Sequence, residues 1–290
     1  MPPVFTPPSP LVHTVFVMQS LKLDVCPRVS LLAVASILTI DNLTELSLAS
    51  APAKVLAKLF EDKETLPMLR SLDLSSSVEC SDAVIASVFG RGTGYRIEHL
   101  NLSNTGITDL SLQRIRAACG GALRSLEIDR CKEITNDGLV VFLKEEEELG
   151  EVIRLKRAIF SHCGNSSDAV NDEVVDLLCR NSSSVGLVTL DLSGGGQGVS
   201  DLSMESVVAH CKKTIASVDC SFCHKVTDKG VGYLVQECGG LKKLSVWGLA
   251  QLTDDFHDGH KRVGDGSFVV EGSWMKKTTG GVAGAVVADL

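Results

Sequence analysis

The 290-residue chain carries a net charge of −8, and 44% of its residues are apolar although few are aromatic. This length suits one large domain or two small ones with an ample core. The acidic balance argues against a protein that binds nucleic acid directly. No apolar run reaches the roughly 20 residues that span a bilayer, and the chain is too long for a small disulfide-stapled secreted domain. We therefore expect an intracellular protein of the cytoplasm or nucleus, with reduced thiols and no membrane contact.

The first stretch of the chain precedes any periodic pattern. Residues 1–17 contain several prolines and lack the basic segment and apolar helix of a signal peptide. We expect a poorly ordered N-terminal extension at 1–17, one repeat domain at 18–262 and a low-complexity C-terminal tail at 263–290.

From Met18 onward, one apolar pattern returns along the chain. Strong copies read LTELSL, LRSLDL, IEHLNL, LRSLEI, LVTLDL, IASVDC and LKKLSV, and weaker copies read MQSLKL and LKRAIF. Their first residues are 18, 43, 69, 97, 123, 155, 187, 215 and 241, so the spacing is 25 to 32 residues. A period of this length indicates a solenoid of about nine repeats, in which each repeat is one structural unit.

Each repeat continues with a helix signal. A Ser, Thr or Asn followed by Asp or Asn comes after the apolar motif, and such side chains cap helix N-termini. The pairs are Ser81-Asp82, Thr108-Asp109, Thr135-Asn136, Asn171-Asp172, Ser200-Asp201, Thr227-Asp228 and Thr253-Asp254. The pattern predicts a strand, a turn and a capped helix in every repeat. Stacked repeats would form an α/β solenoid, a horseshoe with a parallel sheet on the concave face and helices on the convex face.

The cysteines follow the same register. One set lies eight residues after the first apolar position, and another set closes helices: Cys26, Cys131, Cys163 and Cys223, then Cys119, Cys179, Cys211 and Cys238. The stretch CSFCH, Cys220 to His224, has the spacing of a c-type haem attachment and of half a zinc site. Because no second C-x-x-C pair exists and a solenoid core has no room for haem, we expect packed thiols and neither cofactor nor metal.

The repeat unit resembles a known type. The segments LRSLEIDRCKEITNDGL and IASVDCSFCHKVTDKGV resemble the cysteine-containing leucine-rich repeat, which is typical of F-box leucine-rich proteins and their relatives without an F-box. The resemblance covers residues 18–262. The last stretch, LKKLSVWGLAQLTDDFHDGHKR, is similar to the closing repeat of the leucine-rich subunit of the fungal nucleotide-excision-repair ubiquitin ligase. Only 17 residues precede Met18, which is too few for an F-box.

The resemblance implies a non-catalytic protein-binding subunit, monomeric within a ubiquitin-ligase complex that serves protein degradation or DNA repair. The alternative is a leucine-rich scaffold or regulator of cytoskeletal or GTPase partners, without a ubiquitin link. An enzyme is the third class, but no His lies in a recognisable nucleophile motif. The stretch SGGGQGVSD, Ser193 to Asp201, also lacks the Lys-Ser/Thr of a phosphate-binding P-loop.

Strand alternation predicts the surface that would bind a partner. The fourth and sixth positions of each repeat point inward, so the third, fifth and seventh point outward onto the concave face. Those columns contain seven acids and three bases: Asp24, Glu45, Asp73, Glu127, Asp129, Asp191 and Asp219, against Lys22, Arg157 and Lys243. Such a face would repel phosphate and attract a basic segment of a protein partner.

The candidate binding residues on this face are Asp73, His99, Glu127, Asp129, Ile159, Asp191, Asp219 and Trp247. Trp247 fits two interpretations. Trp is enriched among the residues that dominate binding energy, yet this side chain equally fits as a cover between the last repeat and the C-terminal tail.

Overall fold

The computed structural model describes residues 18–24, 42–52, 54–56, 68–89, 96–145, 152–165, 169–253, 255–256, 269–275 and 285–287. The predicted extension at 1–17, Cys26 and Asp254 lie outside these residues, as does most of the predicted tail. Within the described ranges, no helix combines the length and the apolar character needed to cross a bilayer.

Short strands, one from each predicted repeat, form the main sheet. The described strands are β1 Ser20–Lys22, β2 Glu45–Ser47, β3 Ser71–Asp73, β4 His99–Asn101, β5 Ser125–Glu127, β6 Arg157–Ile159, β7 Thr189–Asp191, β8 Gly196–Ser200, β9 Ser217–Asp219, β10 Cys223–Lys225, β11 Lys243–Val246, β12 Val269–Met275 and β13 Ala285–Val287. From β1 to β11 the main sheet is parallel, and the third position of each repeat lies opposite the third position of the next. The predicted α/β leucine-rich-repeat solenoid is confirmed.

The sheet also continues past the last predicted repeat. Strand β12 pairs in parallel with β11, and β13 pairs antiparallel with β12. The sequence of β12, VVEGSWM, lacks the repeat motif, so the periodicity did not predict it. Strands β8 and β10 form a separate two-stranded sheet at the turns that follow β7 and β9.

Six helices are described in the repeats: α1 Asp82–Phe89, α2 Asp109–Cys119, α3 Asn136–Leu143, α4 Asp172–Ser182, α5 Asp201–Cys211 and α6 Asp228–Glu237. Five of the predicted caps are confirmed, because each side chain accepts a backbone N–H from the first turn of its helix: Thr108, Thr135, Asn171, Ser200 and Thr227. Each cap satisfies one of the N–H groups that a helix start leaves without an intrahelical partner.

The Asp that follows each cap binds the next repeat. Its carboxylate accepts both the N–H and the hydroxyl of the next cap residue, in the pairs Asp82–Thr108, Asp109–Thr135, Asp172–Ser200, Asp201–Thr227 and Asp228–Thr253. We call this series the carboxylate ladder. It is interrupted at Asn136, whose amide instead donates to the carbonyl of Ala169 at 3.3 Å.

The core lies between the sheet and the helices. Fourth- and sixth-position side chains such as Leu72 and Leu74 are fully buried, as predicted. The ninth-position cysteines add hydrogen bonds to this packing. The thiols of Cys131, Cys163 and Cys223 donate to sixth-position carbonyls of the preceding repeat, at 3.1, 2.9 and 3.3 Å.

The eighth position of each described repeat from the second onward has left-handed backbone. These residues are Ser50, Ser76, Asn104, Arg130, His162, Gly194, Phe222 and Gly248, with φ between 50° and 77°. The N–H at this position donates to the seventh-position carbonyl of the next repeat, as Phe222 does to Trp247 at 2.7 Å. Gly and Asn adopt such a backbone readily, whereas bulky side chains rarely do.

Candidate functional site

The concave face is built by the in-register sheet, which aligns the third, fifth and seventh positions into columns. Most of the side chains predicted to point outward are partly exposed, but several serines on these columns are buried: Ser47, Ser125, Ser161, Ser221 and Ser245. Parallel strands bring residues of one column within about 5 Å of each other. These five short side chains are therefore covered by their neighbours, whereas other column serines, such as Ser71 and Ser217, remain partly exposed.

The fifth-position acids also shape the turns that follow the strands. The Oδ1 atoms of Asp73, Asp191 and Asp219 each accept, at 2.9 Å, the backbone N–H of the Ser two residues later. Asn101 makes the same bond to Ser103 at 3.0 Å. Asp and Asn favour turns because they make this local bond. One oxygen of each carboxylate is thus committed to the fold, which the sequence analysis did not anticipate.

Three carboxylates dominate the centre of the face. Asp191 lies directly opposite Asp219 on the adjacent strand. Burial raises the pKa of Asp191, and the negative charges of Asp219 and Asp129 raise it further, while the N–H of Ser193 opposes the shift. Among the described residues, neither Asp191 nor Asp219 forms an ion pair. Asp129 lies 3.8 Å from the guanidinium of Arg130, so the negative charge without a described base is that of Asp191 and Asp219.

A second group lies towards the N-terminal strands. Asp73, His99, Asn101 and Glu127 line a depression of about 250 Å³ together with Arg157. The Arg157 Nε atom lies 2.8 Å from Glu127 Oε1. The field of Glu127 is therefore partly cancelled, so this group is polar with little net charge.

The two apolar candidates differ in exposure. Ile159 is half-buried between Glu127 and Asp191, whose strands flank its own. Trp247 is 37% exposed. The backbone N–H of Trp247 donates to Ser221 Oγ at 3.0 Å, and its backbone carbonyl accepts the N–H of Phe222 at 2.7 Å. The backbone of Trp247 is therefore fixed by the preceding repeat while part of its indole ring remains accessible.

The sequence columns thus bring together two groups of candidates, Asp73, His99 and Glu127 in one and Asp129, Asp191 and Asp219 in the other. Ile159 connects the groups, and Trp247 lies at the far end. Phe222 is not among the candidates that the sequence predicts, although 47% of it is exposed. The sequence does mark Phe222 as unusual, because the same position is glycine in both neighbouring repeats, Gly194 and Gly248.

The CSFCH stretch lies in the packed core and its adjoining turn. Cys220 and Cys223 are fully buried, and burial raises the pKa of the Cys223 thiol to about 12. The Cys220 thiol lies 3.6 Å from the Ser245 carbonyl. In the part of the chain that the structure describes, no three His, Cys, Asp or Glu side chains are grouped as metal ligands.

No protein-family model and no curated protein matches the chain. Among solved structures, it is similar to a chain in the crystal structure of the Rad7 and Elc1 complex in yeast, with 21% identity and a TM-score of 0.59. The match covers 82% of this chain and 66% of that chain. A leucine-rich repeat-containing protein of Legionella pneumophila, LegL7, matches 89% of this chain and 91% of its own at 13% identity, but its TM-score of 0.37 is too low to carry an argument. The first similarity shows the solenoid fold.

Proposed function

We propose that this protein is a non-catalytic recognition module whose concave face binds a partner protein through a basic segment, as a substrate- or partner-recognition subunit of a ubiquitin-ligase complex. The observation that carries the proposal is the group formed by Asp129, Asp191 and Asp219. Adjacent like charges on neighbouring strands destabilise a sheet. A partner cation placed among them would relieve that repulsion, so binding and the charge pattern support each other.

The shape of the surface supports protein binding over small-molecule binding. The columns extend over the whole sheet, and the depression beside Glu127 is small and open. Repeat proteins use such extended concave surfaces for protein partners. The excess of acids disfavours nucleic acid, since phosphates would be repelled.

The ubiquitin-ligase assignment rests on similarity. The repeats resemble those of F-box leucine-rich proteins, and the last repeat resembles a subunit of the fungal repair ligase. The fold is similar to a chain from a yeast protein complex, that of Rad7 and Elc1. Affinity purification of the tagged chain at native expression, followed by mass spectrometry, tests this part. Recovery of cullin, adaptor or repair-ligase subunits supports it, whereas a stable partner without any of them favours the scaffold alternative.

The binding surface is tested separately by neutralising charge without breaking turns. Asp191→Asn with Asp219→Asn keeps both Oδ1 acceptors, as Asn101 shows, and removes two charges. We expect slower association with the purified partner and a weaker dependence of the association rate on salt. Asp137→Asn with Glu173→Gln removes the same charge from exposed positions on helices α3 and α4 and serves as the control. Equal association rates for both double variants would exclude the concave face.

A further inference from the structure

The strand-to-helix turn after β9 holds an exposed aromatic side chain in an unfavourable backbone conformation. Phe222 has φ 60° and is 47% exposed. The same position in the two neighbouring repeats is glycine, Gly194 with φ 77° and Gly248 with φ 66°. Glycine therefore meets the backbone requirement at this position, and the fold does not need Phe there. A bulky residue kept in a strained conformation at the surface points to a function for its side chain.

The ring of Phe222 lies across the next repeat. A Cβ built on Gly248 would lie 2.4 Å from Phe222 Cδ1, so only glycine leaves space for the ring. His162 repeats this arrangement two repeats earlier, where a Cβ on Gly194 would lie 2.2 Å from its Nδ1 atom. One side of the Phe222 ring rests on the backbone, and its exposed area is available to a partner.

Trp247 immediately precedes Gly248 in the adjacent turn, which follows β11, and its backbone is bonded to the turn that holds Phe222. The Phe222 N–H donates to the Trp247 carbonyl, and the Trp247 N–H donates to Ser221 Oγ. Ser221 in turn donates its N–H to Asp219 Oδ1 at 2.9 Å. This chain of bonds fixes the backbones of two exposed aromatic residues near a carboxylate that has no ion-pair partner among the described residues. We call Phe222 and Trp247 the aromatic rim.

We propose that the aromatic rim, together with Asp219, binds an arginine side chain of the partner protein. A guanidinium group stacks on aromatic faces and pairs with carboxylates, whereas an acidic side chain would be repelled by Asp219 and a purely apolar one would leave its charge unpaired. The proposal rests on the proposed function, because the arginine belongs to the basic segment that the concave face attracts. Lys225, a nearby base, lies opposite Ser200 at the start of α5, on the helix side of the turn.

The experiment uses short random peptides displayed on phage and selected on the full chain. Selected peptides are synthesised with a fluorescent label, and their affinities are measured by fluorescence anisotropy. We expect the selected peptides to contain an arginine and to lose about tenfold or more in affinity for Phe222→Gly and for Trp247→Ala. Replacing that arginine by citrulline, its neutral isostere, should cause a similar loss.

Phe222→Gly is suited to this test because glycine adopts the local backbone, so we expect its melting temperature to stay within a few degrees of the wild type. Tyr233→Ala is the matched control. It removes an aromatic side chain of similar exposure, 41%, from helix α6, and it should leave peptide affinity unchanged.

Four other results would overturn the inference. If the peptides bind both rim variants normally but fail to bind the double variant Asp191→Asn with Asp219→Asn, the aromatic rim is not the arginine site. The proposed function of the concave face is then still supported. Peptides that bind all of these variants equally, or no enrichment at all, would contradict both. If the rim instead binds a second copy of the chain, light scattering will detect a dimer that Phe222→Gly abolishes, which also counts against arginine recognition.

Discussion

The carboxylate of Asp201 accepts two hydrogen bonds from Thr227, one from its N–H at 2.8 Å and one from its hydroxyl at 2.7 Å. Thr227 at the same time caps helix α6. The two repeats are therefore joined through the residue that starts the second helix, and removing the carboxylate affects both the junction and the cap.

We expect Asp201→Ala to lower the free energy of unfolding by about 2 to 4 kcal/mol, since hydrogen bonds to a charged group contribute more than neutral ones. Urea denaturation followed by circular dichroism measures the loss. Asn136→Ala is the control, because the carboxylate ladder is already interrupted there and a single amide bond is lost. Equal losses in the two variants would show that the ladder does not couple the repeats.

A pair of Cys→Ser substitutions separates the two kinds of buried thiol. Cys163 donates to the Ile128 carbonyl at 2.9 Å, and the same ninth position is Ser77 in another repeat. Cys220 occupies a core-facing sixth position with its nearest carbonyl acceptor at 3.6 Å. We expect Cys220→Ser to cost about 1 to 3 kcal/mol of unfolding free energy, because the hydroxyl lacks a close partner. Cys163→Ser should cost less than about 1 kcal/mol in the same denaturation assay, and the reverse order would contradict this hydrogen-bonding role.

The pH dependence of stability should respond to Asp191. Burial, together with Asp219 and Asp129, raises the pKa of this carboxyl in the folded state. The folded protein then binds a proton that the unfolded chain has already lost, so stability falls as pH rises through the folded pKa. Asp191→Asn keeps the acceptor for Ser193 and removes the charge. We expect it to raise the free energy of unfolding at neutral pH and to have no effect well below the unfolded pKa of about 3.9.

Asp73→Asn is the control for this charge effect. It preserves the bond to Ser75, but its neighbours across the sheet, Ser47 and Asn101, are uncharged. Urea titrations at neutral and acidic pH should therefore show a smaller gain in the free energy of unfolding for Asp73→Asn than for Asp191→Asn. A loss of stability at neutral pH in Asp191→Asn would mean that the Asp191 charge is compensated.

The buried thiols should be chemically protected. Burial raises the pKa of Cys80, Cys119 and Cys223 to about 12, so few thiolates form at mildly alkaline pH. In a Cys26→Ser background, the nine described thiols should react with Ellman's reagent only as fast as the protein unfolds. Cys211 is equally buried, so it should be protected as well, although a hydrogen bond from Cys179 lowers its pKa. Peptide mapping would identify any thiol that reacts early, and rapid native labelling of Cys223 would contradict its burial.

The repeat register could be predicted from the sequence because the alternation along each strand and the length of the repeat agree with each other. Alternation along a strand places Leu72 and Leu74 in the core, and the repeat length then aligns Asp191 with Asp219 on the next strand. The caps at Thr108 and Thr227 were also predictable, since capping depends on a residue's own side chain and the adjacent turn. Local chemistry decides these features, so a single sequence contains them.

Other features depend on neighbours that the sequence does not place. Ser125 belongs to an outward column yet is buried, because adjacent strands cover a short side chain. Asp191 and Asp219 lie on the outward column as the sequence predicts, but they are half-buried at the ends of their strands, and each bonds the turn that follows. The left-handed backbone at Phe222 has no signature in Phe itself, since the next repeat's carbonyl enforces it. Strand β12 forms through pairing with β11 and carries no motif of its own.

The uniform register of the parallel strands also limits what a partner can look like. The surface from Asp73 to Trp247 spans seven strands of the main sheet. Neighbouring strands are about 4.8 Å apart, whereas a helix advances about 5.4 Å per turn. A partner helix lying across the strands would fall out of step by about half a turn after roughly four repeats. A helical partner that touches both ends of the surface will therefore have contact residues that are unevenly spaced in its own sequence.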